Sequence, residues 1–303
     1  MKKLETELIQ EASIEYGIAP AFIEKDYYIV EILKILHSFQ NENFSIAFSG
    51  GTSLSKCYGI INRFSEDIDF MISSTNETRS TYKTFKKHLF EAINSTNILK
   101  VSDEDQLIRN ESKFMSFFVD YPKTFNDNSL RQQVKIEISA KNTKLIPEVK
   151  KTNSWINLYL NDINDCEIFC VNPLETAANK FNAFLWRADV KDRTSELKKF
   201  NDPTIIRHLY DLYKLNNIIK DNKTEFYKLV SNIYEDDKLR GNKENTLSLK
   251  NFSNSTLYKI QNDRIYEEEY NSFVKNMIYK QTDMIPYKIV LEFFEQLINE
   301  LSE

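Results

Sequence analysis

Apolar residues recur at helical spacing over residues 20–39, where Ile29, Ile32, Leu33 and Leu36 share a face and Pro20 suits a first turn. The same spacing predicts helices over 3–16 and 78–95, the latter with Tyr82, Phe85, Leu89 and Ile93 on one side. Between them lie two compact apolar runs, FSIAF (44–48) and DIDFMI (67–72), that read as strands. A short helix over 52–58, stopped by Gly59, is expected to join them. Strands are also expected over 113–121 and 132–139. In the second, Val134, Ile136 and Ile138 alternate with Lys135, Glu137 and Ser139. Residues 141–165 are polar and mixed, and 167–171 reads as a short strand. After Pro173 the pattern turns helical, over 173–189, 203–219, 223–235 and 263–301. The stretch 236–256 is the most loop-like and is expected to be mobile.

This order predicts an α+β protein of two lobes. Residues 1–165 form an α/β domain with a mixed sheet. Residues 166–303 form a mainly helical domain that completes an active-site cleft.

Composition narrows the class only a little. Of 303 residues, 41% are apolar and 28% charged, as in an ordinary globular protein. No apolar run is long enough to span a bilayer, and the N-terminus lacks the apolar core of a secretory signal. Three cysteines cannot all pair, so a reducing, cytoplasmic setting and buried thiols are expected. A net charge of −5 argues against a protein that coats nucleic acid without regard to sequence. It leaves room for a local basic patch, for which Lys141, Lys144, Lys150, Lys151, Lys191, Arg193, Lys198 and Lys199 are candidates.

The candidate chemistry is concentrated in SGGTSLSKCYGIINRFSEDIDF (49–70). The chain has only five glycines, and Gly50 and Gly51 stand side by side after a strand. A backbone free of Cβ atoms lets a phosphate approach, and Ser49 and Thr52 flank it. Asp67 and Asp69, at i and i+2 on a strand, point to one face. Two parallel carboxylates invite a hard divalent cation and a triphosphate. Glu137, on the polar face of its strand, is the candidate third acid for a second metal ion. Lys180 and Arg187 are seven residues apart on a helix and share a face that could meet phosphates. Asp211 interrupts an apolar helix pattern, where an acid pairs, caps or reacts. His37, His88 and His208 have no ligand spacing, and neither the GxxxxGK[ST] loop nor the GxGxxG fingerprint is present.

In these residues the chain resembles the AbiEii/AbiGii toxin family of nucleotidyltransferases, within the DNA polymerase β-like superfamily. The resemblance runs through EKDYYIVEILKIL (24–36), FSGGTSLSKCYGIINRFSEDIDF (48–70), KIEIS (135–139), NPLETAANKFNAFLWR (172–187) and RHLYDLYKL (207–215). Two departures stand out. Fifteen residues separate Gly51 from Asp67, and His208 occupies a position where the family often has an acid. The resemblance implies transfer of a nucleoside monophosphate from an NTP to an RNA acceptor, tRNA 3′ ends foremost. Asp67, Asp69 and Glu137 would hold Mg²⁺ or Mn²⁺. Ser49, Gly50, Gly51, Thr52 and Arg187 would hold the nucleotide, and Lys180 and Asp211 would complete the catalytic set. It also implies a cognate antitoxin, often a winged-helix repressor, and no membrane partner. Three alternatives remain: a nucleotidyltransferase acting on a small molecule such as an antibiotic, a metal-dependent glycosyltransferase, and a catalytically silent protein that binds an antitoxin.

Overall fold

The computed structural model describes residues 3–302 except 66, 105, 163–165, 197–200 and 241–246. The chain is mixed α+β and divides into two units, one of residues 1–59 and 63–172, the other of 60–62 and 173–303.

The first unit contains α1 (Thr6–Tyr16), α2 (Pro20–His37), β1 (Phe44–Ser49), α3 (Gly50–Lys56), β2 (Asp67–Ser74), α4 (Arg79–Asn94), β3 (Lys100–Val101), β4 (Leu107–Arg109), β5 (Phe114–Asp120), β6 (Val134–Ala140), β7 (Glu148–Thr152), α5 (Trp155–Tyr159) and β8 (Cys166–Cys170). Its eight strands form one mixed sheet in the order β3-β5-β6-β2-β1-β8-β7, with β4 on β5. β1 and β2 are antiparallel, whereas β2 and β6 run parallel, and so do β1 and β8. The polar stretch 141–165 thus contributes β7 and α5, and the sheet extends past residue 165 to Cys170.

Strand alternation sends Ile46, Phe48, Ile68, Phe70, Ile72, Ile136 and Ile138 to one side of the sheet. There they pack with Ile29, Ile32, Leu33 and Leu36 of α2 and Tyr82, Phe85, Leu89 and Ile93 of α4. The opposite side holds a small apolar cluster of Ala47, Met71 and Val171. It is on this side that the acids stand.

The second unit contains α6 (Pro173–Asp189), α7 (Arg207–Lys214), α8 (Asn216–Asp221), α9 (Lys223–Arg240), α10 (Leu249–Asn262), α11 (Ile265–Met277) and α12 (Tyr287–Asn299). Its core includes Phe181, Phe184, Phe226 and Phe294, whose rings meet edge-on or tilted.

Several expected elements differ. The helix expected over 203–219 is a 3-10 turn, Pro203–Ile206, followed by α7 and α8. The helical pattern expected over 263–301 is realised as two helices, α11 and α12. The chain leaves the helical conformation at Ile278, which is extended, and passes through a 3-10 turn at Gln281–Asp283 before Pro286 caps the start of α12. Much of the stretch read as loop over 236–256 is the end of α9 and the first half of α10. Ser248 caps α10 by accepting from the Asn251 amide, and residues 241–246 lie outside the described part. The helix expected over 52–58 begins earlier, at Gly50, and its C-terminal cap is Cys57, not Gly59. The three cysteines are free thiols. Burial raises Cys166 to about 11, and the neighbouring Cys170 thiol and then burial push Cys57 upward, so both are protonated and inert at neutral pH.

Candidate active site

Register places the acids. Asp69 stands opposite Glu137 on the parallel strand β6 and opposite Ser49 on β1, and Glu137 stands opposite Ser116 on β5. Directly paired residues point to the same face, so Ser116, Glu137, Asp69 and Ser49 form a row across four strands. The next row is Phe118, Lys135 and Asp67. Asp67, Asp69 and Glu137 therefore share one face, as their spacing predicts.

Cations accompany two of these acids. The Arg131 guanidinium donates to one carboxylate oxygen of Asp67 at 2.5 Å. Lys135 forms an ion pair with Glu137, two residues along its own strand. Asp67 and Glu137 thus turn to cations, and among the described residues no three acidic, histidine or cysteine side chains converge as a metal cage. The donor set still suits a hard divalent ion: three carboxylates on one face of adjacent strands, with the glycine turn against the central one.

That turn explains the paired glycines. Gly50 has φ +76°, and a Cβ there would lie 2.1 Å from Oδ2 of Asp69. Only glycine brings the backbone this close to the acid. At Gly51 a Cβ would lie 2.5 Å from the guanidinium of Arg63 and 3.0 Å from Oγ of Ser65. Arg63 is 1% exposed and donates to the Phe64 carbonyl. The hydroxyls beside the turn have structural partners. Ser49 donates to the backbone carbonyl of Asp69 at 3.2 Å, and Thr52 to that of Asp67. Each has a single O–H to give. It is spent in holding the turn onto β2, which leaves backbone amides to face a phosphate.

Three consecutive charged residues of α2 support the site from the helical side of the sheet. Glu24 accepts from the amides of Thr124 (2.8 Å) and Phe125 (3.0 Å). Lys25, fully buried, donates to the carbonyl of Arg131 at 2.7 Å. Asp26 receives Lys56 from the end of α3 and the amide of Trp155 at the start of α5. Sequence reasoning missed Glu24–Asp26, Arg63 and Arg131 as site-shaping residues. A signal was present for the first three: adjacent residues on a helix span more than half its circumference, so three successive charges beside Ile23, Tyr27 and Tyr28 cannot all face water.

In the helical unit, Lys180 of α6 and Asp211 of α7 form an ion pair at 2.7 Å, with side chains 7% and 0% exposed. Arg187 is exposed, two turns further along α6. His208 is buried, and neither ring nitrogen has a hydrogen-bond partner among the described residues. Burial, then the cations Lys180, Arg187 and Arg207, hold it well below the usual imidazole range, so it is neutral at physiological pH. Of the lysines and arginines considered for RNA, Lys191 and Arg193 are engaged within the helical unit by Glu269 at 2.7 Å each, Arg193 also by Asp263. Lys150 pairs with Glu148 and Lys151 with Glu167. Lys198 and Lys199 lie outside the described residues.

Comparison with known proteins adds three findings. The family model described as nucleotidyl transferase AbiEii toxin, type IV toxin–antitoxin system, matches residues 31–299. No curated protein matches the chain by sequence. The structure is similar to that of MenT4, a nucleotidyltransferase toxin from Mycobacterium tuberculosis H37Rv, with a TM-score of 0.52 and 16% identity over 99% of this chain and 91% of that one. At that identity the likeness is one of fold.

Proposed function

This chain belongs to the AbiEii family of nucleotidyltransferase toxins of type IV toxin–antitoxin systems, and from that premise we propose that it transfers a nucleoside monophosphate from an NTP to the 3′ end of an RNA, with tRNA as the leading acceptor. The observation that carries the reading is the close approach of the Gly50 backbone to Asp69, within a row that also holds Glu137. A turn stripped of side chains beside paired carboxylates suits a triphosphate with its counter-ion.

Asp67, Asp69 and Glu137 are the residues that would hold Mg²⁺ or Mn²⁺. When bound, such an ion neutralises triphosphate charge and polarises the reacting oxygens. The backbone at Gly50 and Gly51 receives the phosphates, kept open by Arg63 behind it. The acceptor hydroxyl forms its bond to the α-phosphorus as the bond to diphosphate breaks, and its proton passes to solvent. Glu137, on the side of the acids away from the turn, orients that hydroxyl. From the motifs they occupy, we assign Lys180 and Arg187 to neutralising the departing diphosphate and Asp211 to holding Lys180 in place. The family's system type supports a cognate antitoxin as partner. Among the described residues no helix is long and apolar enough to cross a membrane.

The test is incubation of the purified protein with each labelled NTP, Mg²⁺ and total RNA. Labelled RNA is the expected product, and Asp69→Ala should abolish it while leaving the melting temperature within a few degrees. Full transfer by that variant would overturn the site assignment. Label on an aminoglycoside-type antibiotic and none on RNA would replace the acceptor by a small molecule.

A further inference from the structure

The acids are flanked unequally on their face of the sheet. Toward β1 lies the glycine turn. Toward β5 and β6 lie Phe118, Lys135 and Arg131, none of which the phosphate-binding role uses. Phe118 sits on the face of the acids, one strand beyond Lys135, and is half-buried. The Arg131 guanidinium is 5.6 Å from the centre of its ring and at the same time binds Asp67. A cation over an aromatic face, one-third exposed at the Arg131 side chain, makes a platform at the edge of the acids.

This platform is held in place. Residue 131 lies near the end of the connection from β5 to β6, which α2 grips at two points. Glu24 binds the amides of Thr124 and Phe125, and the buried Lys25 binds the carbonyl of Arg131. Gln133 ties the end of the same connection back to Asp120 at 2.9 Å.

Resting on the proposed reaction, geometry then assigns the platform an occupant. In-line displacement puts the attacking oxygen and the departing diphosphate on opposite sides of the α-phosphorus. With the phosphates on the β1 side, the acceptor must arrive from the β6 and β5 side, across Glu137. We propose that Phe118 and Arg131 form the acceptor subsite, and that its ligand is the unpaired terminal nucleotide of a single-stranded RNA 3′ end. The base stacks on the Phe118–Arg131 platform, and Lys135 and Arg131 attract the adjoining phosphate. A base already stacked inside a blunt duplex has no free face to offer. The subsite therefore selects 3′ overhangs over blunt ends.

The experiment measures binding of a fluorescein-labelled RNA hairpin with a four-nucleotide 3′ overhang by anisotropy, together with steady-state transfer to the same RNA. Phe118→Ala should weaken RNA binding about 10-fold, the scale of one lost base–aromatic stack, and raise the KM for RNA by a similar factor. The KM for NTP should stay within about twofold of wild type. Phe118→Trp should bind RNA at least as well as wild type. Phe118→Leu keeps apolar volume without a ring, and guards against an unstable alanine variant. It should show the alanine phenotype. The blunt form of the hairpin should bind wild type about as weakly as the overhang binds Phe118→Ala. Wild-type transfer to RNA with Phe118→Ala and Phe118→Leu unchanged in RNA binding would overturn this subsite and leave the reaction standing. Absence of RNA binding and labelling by wild type would overturn both.

Discussion

At the scale of single residues, the site depends on atoms that are missing as much as on those present. Gly50→Ala puts a methyl group into the space of the Asp69 carboxylate and forces a side chain into a left-handed conformation. The expected result is loss of transfer as complete as for Asp69→Ala, with about 1–3 kcal/mol of strain visible in a denaturant titration. Transfer near the wild-type rate would show that the turn does not need its close approach. Lys180 presents a different case. Its partner Asp211 is fully buried, so Lys180→Met takes the paired cation away from a carboxylate in the core. That should cost about 3–5 kcal/mol. The double variant Lys180→Met/Asp211→Leu removes both charges and should recover most of the stability without recovering transfer. Recovery of transfer as well would make the pair structural alone. Asp67, Asp69 and Glu137 were legible because strand alternation is a strict rule. That Asp211 orients Lys180 was expected from the motifs they occupy and from no local pattern, since the pair joins residues 31 apart in sequence.

At the scale of elements, α2 does more than its apolar stripe indicates. One face packs the sheet, while Glu24, Lys25 and Asp26 reach out to three separate segments. Glu24→Gln removes the charge that strengthens two backbone hydrogen bonds and replaces one accepting oxygen by a donor. It should destabilise the protein by about 1–3 kcal/mol. Loosening residues 124–131 should also raise the KM for RNA more than that for NTP. Equal changes in the two constants would mean that the connection supports the whole site rather than the acceptor side. The elements themselves were largely readable: α2, β1, β2, α4, β5, β6, β8 and α6 lie close to the apolar patterns that announce them. Departures fell where local patterns are weak. The helical pattern over 263–301 is broken from Ile278 to Pro286, and α10 is built from a polar stretch whose few apolar residues, Phe252, Leu257 and Ile260, are buried only because other helices cover them.

At the scale of the whole molecule, a net charge of −5 is compatible with the proposed RNA acceptor, because a subsite for one terminal nucleotide needs few cations. Lys191 and Arg193 are absorbed by Glu269 and Asp263 beneath Tyr266. Lys191→Met should therefore lower the melting temperature and leave RNA affinity unchanged. A fall in RNA affinity with unchanged stability would return this lysine to the RNA surface. The sequence by itself determined the class of fold, the strand that carries the paired aspartates, the glycine turn and the family. Each is encoded locally, in periodicities of two or 3.6 residues and in a motif contained in one short span. Only the tertiary structure decided which charges are available. Arg131 meets Asp67 across 64 residues and Lys25 meets Arg131 across 106, and Ser49 and Thr52 spend their protons on β2. Such pairings depend on strand order and on which loop a helix grips, and no local pattern records them.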